Sequence, residues 1–297
     1  MILDVGEGHK INYEVFGNPE GIKVLFLHGG PGLGFSDSDK AIFDPSKFFV
    51  IFIDQRGSGK SIPKGGLKHN TTSDLILDIE KILVHLEVDS LIVFGGSWGA
   101  TLAVLFAAAY PDRVHRLILR GFFSATKDTA DIYLRGRVRA SHPAEWHRVS
   151  SHVEPKDINR VPEDYFNVIR NKIGDYEKAA REWSRYGFSL SRKQFEQGEV
   201  DKILSESLVD VDRIIIELHY ALNGFFIPNG FVFDQAKKIE GIPVTIIHGT
   251  FDYICPIEDA KKLASCLTNS NLITVNAGHS MAEKEIQDAV AKELDRI

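Results

Sequence analysis

The stretch Leu91-Ile92-Val93-Phe94-Gly95-Gly96-Ser97-Trp98-Gly99-Ala100-Thr101-Leu102 decides how this chain folds. An apolar run stops at two glycines, passes through a serine and continues into small and apolar side chains. That is strand, sharp turn and helix around a G-x-S-x-G pattern. Gly95 and Gly99 leave room for neighbouring backbone, so the Ser97 hydroxyl is expected to stand free above a sheet, with a helix N-terminus behind it. A glycine-rich turn with an incidental serine would match the five residues alone. The strand before and the helix after make Ser97 a candidate nucleophile.

Working outward, further short apolar runs flank this one: Val24–Leu27, Phe49–Ile53, Leu117–Leu119, Val244–Ile247 and Leu272–Val275. Unbroken and rich in β-branched and aromatic residues, they suit strands covered by helices on both faces. Ile2–Val5 and Ile11–Val15 around Gly6-Glu7-Gly8-His9 read as a hairpin. Helices are expected between the strands. One carries Leu75, Ile79, Ile82, Leu83 and Leu86 on one stripe, with Thr72 or Ser73 as cap. Another runs from Ala100 to Tyr110 and stops at Pro111, one opens at Pro256, and one spans about Met281–Leu294. From about Ser124 to 228 the strand runs vanish, and Asp175–Tyr186 and Val211–Leu222 look helical. The expected architecture is an α/β fold with a mostly parallel sheet. A core of residues 1–123 and 239–297 is interrupted by a mainly helical cap, 124–238. Chemistry in such sheets gathers at the carboxyl ends of the strands.

Four motifs sit at those ends. His28-Gly29-Gly30-Pro31-Gly32 follows Leu27, and its glycines allow a close backbone approach to substrate. The Gly30 and Trp98 amides are therefore candidate oxyanion donors. Asp252 follows Val244–Ile247, and His279 follows Leu272–Val275. With Ser97 they give the chain order serine, aspartate, histidine. An imidazole would take the serine proton and return it to the leaving group, while a buried carboxylate fixes its tautomer. Asp54, in Asp54-Gln55-Arg56-Gly57-Ser58-Gly59, suits a loop that braces the site, and His28 and His248 suit supporting positions.

Other classes find less support. Gly30-Pro31-Gly32-Leu33-Gly34 lacks the third glycine of a dinucleotide loop, and Gly59-Lys60-Ser61 lacks the glycine that a phosphate loop needs five residues earlier. His142, His147 and His152 recur every five residues, off one helix face and without thiolate or carboxylate companions at ligand spacing, so no metal or other cofactor is expected. The 297 residues are 43% hydrophobic and 26% charged with net charge −6, which offers no basic stripe for nucleic acid or an anionic membrane. No spanning segment, no signal peptide and only 2 cysteines point to a cytoplasmic chain. Cys255, three residues after Asp252, is expected either as a small buried hydrophobe or near the pocket mouth, where thiol reagents would block access.

Together these stretches resemble the proline iminopeptidase (prolyl aminopeptidase) family of α/β-hydrolase serine peptidases. Leu27–Gly32, Asp54–Ser61, Gly95–Leu102, Leu119-Arg120-Gly121, Asp252–Pro256 and Ala277–Ser280 carry the resemblance in the core. Ala179–Ser184 and Glu217–Tyr220 carry it more weakly in the cap. The resemblance implies a triad of Ser97, Asp252 and His279 and a metal-free release of N-terminal proline from small peptides. It also implies that Glu217 anchors the substrate amine, with Tyr220 beside it. Two departures touch specificity. The family's Trp-x-x-Trp-Glu appears as Trp183-Ser184-Arg185-Tyr186-Gly187, without the carboxylate that Glu182 would have to replace. The aromatic residue after His-Tyr is Ala221. An ester or another amide is the alternative substrate class.

Overall fold

The computed structural model describes residues 1–153, 157–194, 197–206, 209–239 and 241–297. Strands β1 (Ile2–Gly6), β2 (His9–Gly17), β3 (Ile22–Leu27), β4 (Phe48–Ile53), β5 (Leu91–Gly96), β6 (Val114–Arg120), β7 (Val244–Gly249) and β8 (Ser270–Val275) form one sheet in the order β1-β2-β4-β3-β5-β6-β7-β8. The first two pair antiparallel, and from β4 to β8 all neighbours run parallel. The inner apolar runs are strands because they are buried on both sides, whereas β8 at the end of the sheet is only half-buried. On one face Leu25, Leu27, Ile51, Ile53, Val93 and Leu117 join one core, and on the other Val24, Phe26, Val50, Phe52, Phe94 and Ile118 join a second.

Between the strands lie α1 (Asp37–Lys40), α2 (Thr72–His85) and α3 (Trp98–Ala109). Thr71 caps α2, one residue ahead of the expected cap, and its hydroxyl accepts from the Asp74 amide. Thr72 is drawn elsewhere: its hydroxyl donates to the Phe225 carbonyl. Helix α3 is buried along nearly its whole length, as its alanines and glycines allow. A Cβ at Gly99 would run into the Leu27 carbonyl, and one at Gly95 into the Gly99 carbonyl. No larger residue would let α3 start so close to the sheet.

After β6 the chain forms α4 (Lys127–Leu134), α5 (Pro143–His152), α6 (Val161–Arg170), α7 (Tyr176–Ser191), α8 (Gln197–Glu206) and α9 (Val211–Leu222). An aromatic interior of Tyr133, Trp146, Tyr165, Trp183 and Tyr186 holds this cap, with Tyr133 stacked on Tyr186 at 5.4 Å. Helix α10 (Phe231–Ala236) falls within the expected cap but packs on the core instead, with Phe233 against Phe122 at 6.2 Å. That packing favours a return to the core near Pro228. Helices α11 (Ile257–Ser265) and α12 (Lys284–Asp295) complete the chain, and Ile286, Val290 and Leu294 of α12 cover the second core.

The parallel registers align the strand ends. Leu27 lies beside Ile53 and Gly95, Gly96 beside Arg120, Arg120 beside Ile247, and Gly249 beside Val275. The loops carrying His28, Asp54, Ser97, Gly121, Asp252 and His279 therefore all leave the same edge, beneath the cap.

Candidate active site

Ser97 links β5 to α3 with φ 56° and ψ −120°, a conformation that side-chain-bearing residues rarely adopt. Such strain costs on the order of 1–3 kcal/mol and persists only where the surroundings fix it. Here the fixing contacts are backbone ones. The Ser97 amide donates to the Arg120 carbonyl at 2.8 Å, and the Ser97 carbonyl accepts from Ala100 at 2.9 Å and Thr101 at 3.3 Å.

Asp252 and His279 meet as the sequence suggests. The His279 Nδ1 lies 2.6 Å from Asp252 Oδ2, so Nδ1 carries the proton and Nε2 is left as the acceptor. The other oxygen, Oδ1, accepts from the amides of Ile254 at 2.9 Å and Cys255 at 2.7 Å. Burial alone would raise the Asp252 carboxyl, but the His279 imidazole, the nearby His248 ring and the Cys255 amide outweigh it and hold the group below the ordinary carboxylate range. His248 is buried; its Nε2 donates to the Cys255 carbonyl at 2.9 Å and lies 3.5 Å from Asp252 Oδ2. It steadies the aspartate loop, the supporting place foreseen for it.

The His279 loop is clamped from two sides. The amides of His279 and Ser280 both donate to the carbonyl of Ser191, the last residue of α7, at 2.8 and 2.7 Å. Arg120 Nη1 donates to the His279 carbonyl at 2.9 Å. Gly121, with φ +56°, lies against the ring itself: a Cβ there would be 3.0 Å from its Nδ1 and Cε1.

Ser97, His279 and Gly30 line one cavity of about 570 Å³ between core and cap, ample for a small ligand. Trp98 is the first residue of α3, and first-turn amides have no partner inside the helix. Gln55 ties the two candidate donor loops together. Its side-chain oxygen accepts from the Trp98 indole at 2.9 Å, its side-chain nitrogen donates to the His28 carbonyl at 2.9 Å, and its amide donates to His28 Nε2 at 3.0 Å. Asp54 braces the neighbouring turns by accepting from the amides of Phe35 and Lys60 and from Asn12.

The cap residues divide. Glu217 is buried and lines the cavity. Its Oε1 accepts from the Tyr133 hydroxyl at 2.8 Å and the Trp183 indole at 3.0 Å, and its Oε2 accepts from Arg213 at 2.9 Å. Burial, then Glu217, pushes the Tyr133 hydroxyl well above its ordinary value, so it remains a donor. Glu182 does not reach the cavity. It faces the opposite side of α7, where both its oxygens accept from Arg148, at 2.5 and 2.8 Å, and this pairing holds it below the ordinary range. Tyr220 also stays behind the wall. Its hydroxyl donates to Asn70 at 2.9 Å and its ring packs edge-on against Trp98 at 5.3 Å, so it supports the site without lining it. Ala221 and Gly187 line the cavity, and so does Phe225, whose ring packs against Trp98 at 5.6 Å and Phe123 at 4.8 Å.

Sequence reasoning missed Arg213, Tyr133, Phe225 and the clamp role of Ser191. Arg213 alone carried a usable signal, since a charge four residues before Glu217 on one helix is a pairing position. Cys255 is fully buried behind the site and not at the pocket mouth. Burial and then the Asp252 carboxylate push its thiol well above the ordinary value. Among the described residues, Asp252, Cys255 and His279 place potential ligand atoms within 4.8 Å of one another. That donor set is committed: both Asp252 oxygens are hydrogen-bonded and the thiol is held protonated. The arrangement suits proton transfer at a hydroxyl.

Comparison with known proteins bears on the fold and the family. The α/β hydrolase fold family matches residues 23–285. Among solved structures, an esterase from Exiguobacterium antarcticum superposes with a TM-score of 0.69 at 19% identity, covering 99% of this chain and 98% of that one. Such a likeness speaks for the fold. Closer relatives have related sequences along nearly the whole of this chain. A probable proline iminopeptidase from Leptolyngbya boryana is 37% identical over 99% of this chain and 92% of that protein. The proline iminopeptidase of Neisseria gonorrhoeae is 35% identical over 99% and 94%, and that of Arabidopsis thaliana 35% over 96% and 76%. With core, cap and strand-end loops all inside those alignments, the chain belongs to the proline iminopeptidase family of α/β hydrolases.

Proposed function

We propose that this chain is a serine hydrolase that releases N-terminal proline from small peptides, with Ser97, His279 and Asp252 as its triad. Ser97 Oγ attacks the carbonyl after the proline ring as His279 Nε2 takes its proton. The imidazolium that forms is stabilised by Asp252, 2.6 Å away, and gives the proton to the leaving amine. Water then enters, His279 acts as base again, and the acyl-enzyme is hydrolysed. The Gly30 and Trp98 amides receive the oxyanion. Each such donor is worth about 10²–10³ in turnover, because it is already oriented where charge develops.

The observation that carries this reading is the joint one: a serine at φ 56° on a strand-to-helix turn opens into the same cavity as an aspartate-paired histidine. The family's full-length relatives point to proline as the acyl group. Glu217 would face the amine end, and Phe225 and Trp183 would face the ring. The proposed setting is the cytoplasm, in keeping with two free cysteines. Among the described residues no helix is long and apolar enough to cross a membrane.

A second reading keeps the acyl transfer and changes the acyl group to that of an ester or another amide. Gly187 and Ala221 favour it, because they leave open the places where the family carries a carboxylate and an aromatic ring. Hydrolysis of prolyl-β-naphthylamide, beside alanyl-β-naphthylamide and short acyl esters, separates the two. Cleavage of the prolyl amide well ahead of the alanyl amide supports the first reading. Rapid ester turnover with no prolyl cleavage overturns it in favour of the second.

A further inference from the structure

The last registered pair of β3 and β5 is Leu27 with Gly95. The candidate oxyanion donors, the amides of Gly30 and Trp98, each lie three residues past that pair, where the sheet ladder no longer sets the gap between them. Each is aimed through its own trans peptide unit, in which the carbonyl and the N–H point opposite ways. The Ser97 carbonyl accepts from the first turn of α3, which turns the Trp98 amide outward. The Gly29 carbonyl accepts from His28 Nδ1 at 2.8 Å, which aims the Gly30 amide in the same manner. Nδ1 carries the proton because Nε2 accepts from the Gln55 amide at 3.0 Å, and burial holds the ring below its ordinary value and so neutral. Aim alone does not fix how far apart the two donors stand. The buried side chain of Gln55 spans that gap, from the Trp98 indole to the His28 carbonyl, at 2.9 Å on both sides. Only one orientation of its amide serves both neighbours, because an indole N–H can only donate and a carbonyl can only accept.

We propose that Gln55 is a positioning residue of the reaction: its side-chain amide, bridging the Trp98 indole and the His28 carbonyl, holds the Gly30 and Trp98 amides at the spacing that receives the oxyanion. The inference rests on the reading of those two amides as the oxyanion donors. The His28 loop has little slack, since a Cβ at Gly29 would lie 3.1 Å from the Gly96 carbonyl and 3.3 Å from Ser97 Cβ. Any drift of that loop is therefore a drift against the nucleophile's own turn. In the ground state the substrate carbonyl carries little charge, and a loosened gap costs binding little. In the transition state charge gathers on that oxygen, and both donors must already stand in place. Loss of the bridge should be felt in kcat and not in KM.

Gln55→Met keeps the length of the side chain and removes both bonds. On whichever amide or ester the parent cleaves best, kcat per Ser97 labelled by a fluorophosphonate should fall about 10²-fold, with KM within about twofold of the parent. Phenylboronic acid, whose boron takes the Ser97 oxygen while the hydroxyl proton passes to His279, should inhibit more weakly by a similar factor, because its tetrahedral adduct sets an oxygen between the two donors. Trp98→Phe, which keeps a ring and deletes the indole N–H, should repeat the pattern, and the double variant should be no worse than the worse single one. Gln55→Glu decides the matter if Gln55→Met fails to fold. Its carboxylate still accepts from the indole but opposes the His28 carbonyl. Relative to the parent, kcat should fall at about pH 8 and recover in part at about pH 6, as protonation of the buried carboxyl returns a donor. A glutamine that served stability alone would lower the labelled fraction and leave these constants unmoved. A kcat per labelled site within about twofold of the parent, a loss carried by KM, or an unchanged boronate constant would overturn the inference alone. A parent chain that takes no label would sink the serine nucleophile, and this inference with it.

Discussion

The sheet edge and the cap meet across one cavity, yet they were built under different rules. At the sheet edge each candidate side chain follows directly from its own strand, and parallel registers deliver Ser97, Asp252 and His279 to one place. In the cap no register exists. Whether a carboxylate faces the cavity or the outside depends on which helix face packs inward, and Glu182 and Glu217 show both outcomes. Chemistry is thus fixed by local sequence, and selectivity by long-range packing.

The largest effect should come from the edge. Ser97→Ala is expected to lower turnover on the best amide substrate by about 10³-fold or more. Its melting temperature should move little, because the turn is held by backbone bonds the hydroxyl does not make. A fluorophosphonate should label the parent chain and not the variant. Substantial remaining activity would place the nucleophile elsewhere and dissolve the division drawn between edge and cap.

Gly121→Ala pushes on the same edge through geometry alone. The added carbon would sit 3.0 Å from the His279 ring at a φ of +56°, so the ring must shift from Asp252 or the loop must deform. Displacements of that order cost about 10²-fold in rate. The loss should appear in kcat with KM little changed, and an unaltered kcat would show that the His279 loop tolerates more movement than its two clamps suggest.

The place of Ser97 was legible without coordinates because a parallel strand buried on both faces leaves an unbroken apolar run, and the turn after such a run has one place to be, whereas the contact of Gly121 with the His279 ring was not, since it depends on a loop 158 residues further on. Asp54 was legible for the same reason. Other features were not. Thr71 took the cap of α2 because Thr72 was needed by the Phe225 carbonyl 153 residues away. Helix α10 packs through Phe233 on Phe122, and nothing in Phe231–Ala236 tells which aromatic partner it will find. Tyr220 resembles a substrate contact by its place after His219, but only packing shows that Asn70 holds its hydroxyl behind the wall.

The two cysteines sharpen the comparison at smaller scale. Cys255 is fully buried and Cys266 half-buried, and both are free. A thiol raised by burial favours the protonated form in the fold. Its contribution to stability is therefore complete below the ordinary thiol value of about 8.5 and lost as pH rises through the raised one. Iodoacetamide at pH 8 should modify Cys266 at least about tenfold faster than Cys255, as followed by peptide mass spectrometry, with activity retained while only Cys266 has reacted. Equal rates, or inactivation that tracks early modification of Cys255, would return that thiol to the mouth of the pocket.

The smallest effect should come from the carboxylate that faces away. Glu182 is held below the ordinary carboxylate range first by its bonds from Arg148, so its contribution is present above about pH 4.3 and lost as pH falls through the lowered value. Arg148 is half-exposed, and water and salt weaken the pair, which limits the cost of Glu182→Gln to about 1 kcal/mol. The variant's melting temperature should fall slightly at pH 7, and the gap from the parent should narrow on acidification. Turnover and KM for a prolyl amide should stay within about twofold of the parent, because a difference that small lies inside the range of ordinary surface substitutions. A rise in KM confined to substrates with a free amine would instead mean that α7 can turn this face inward and bring a further carboxylate to the cavity that Glu217 lines.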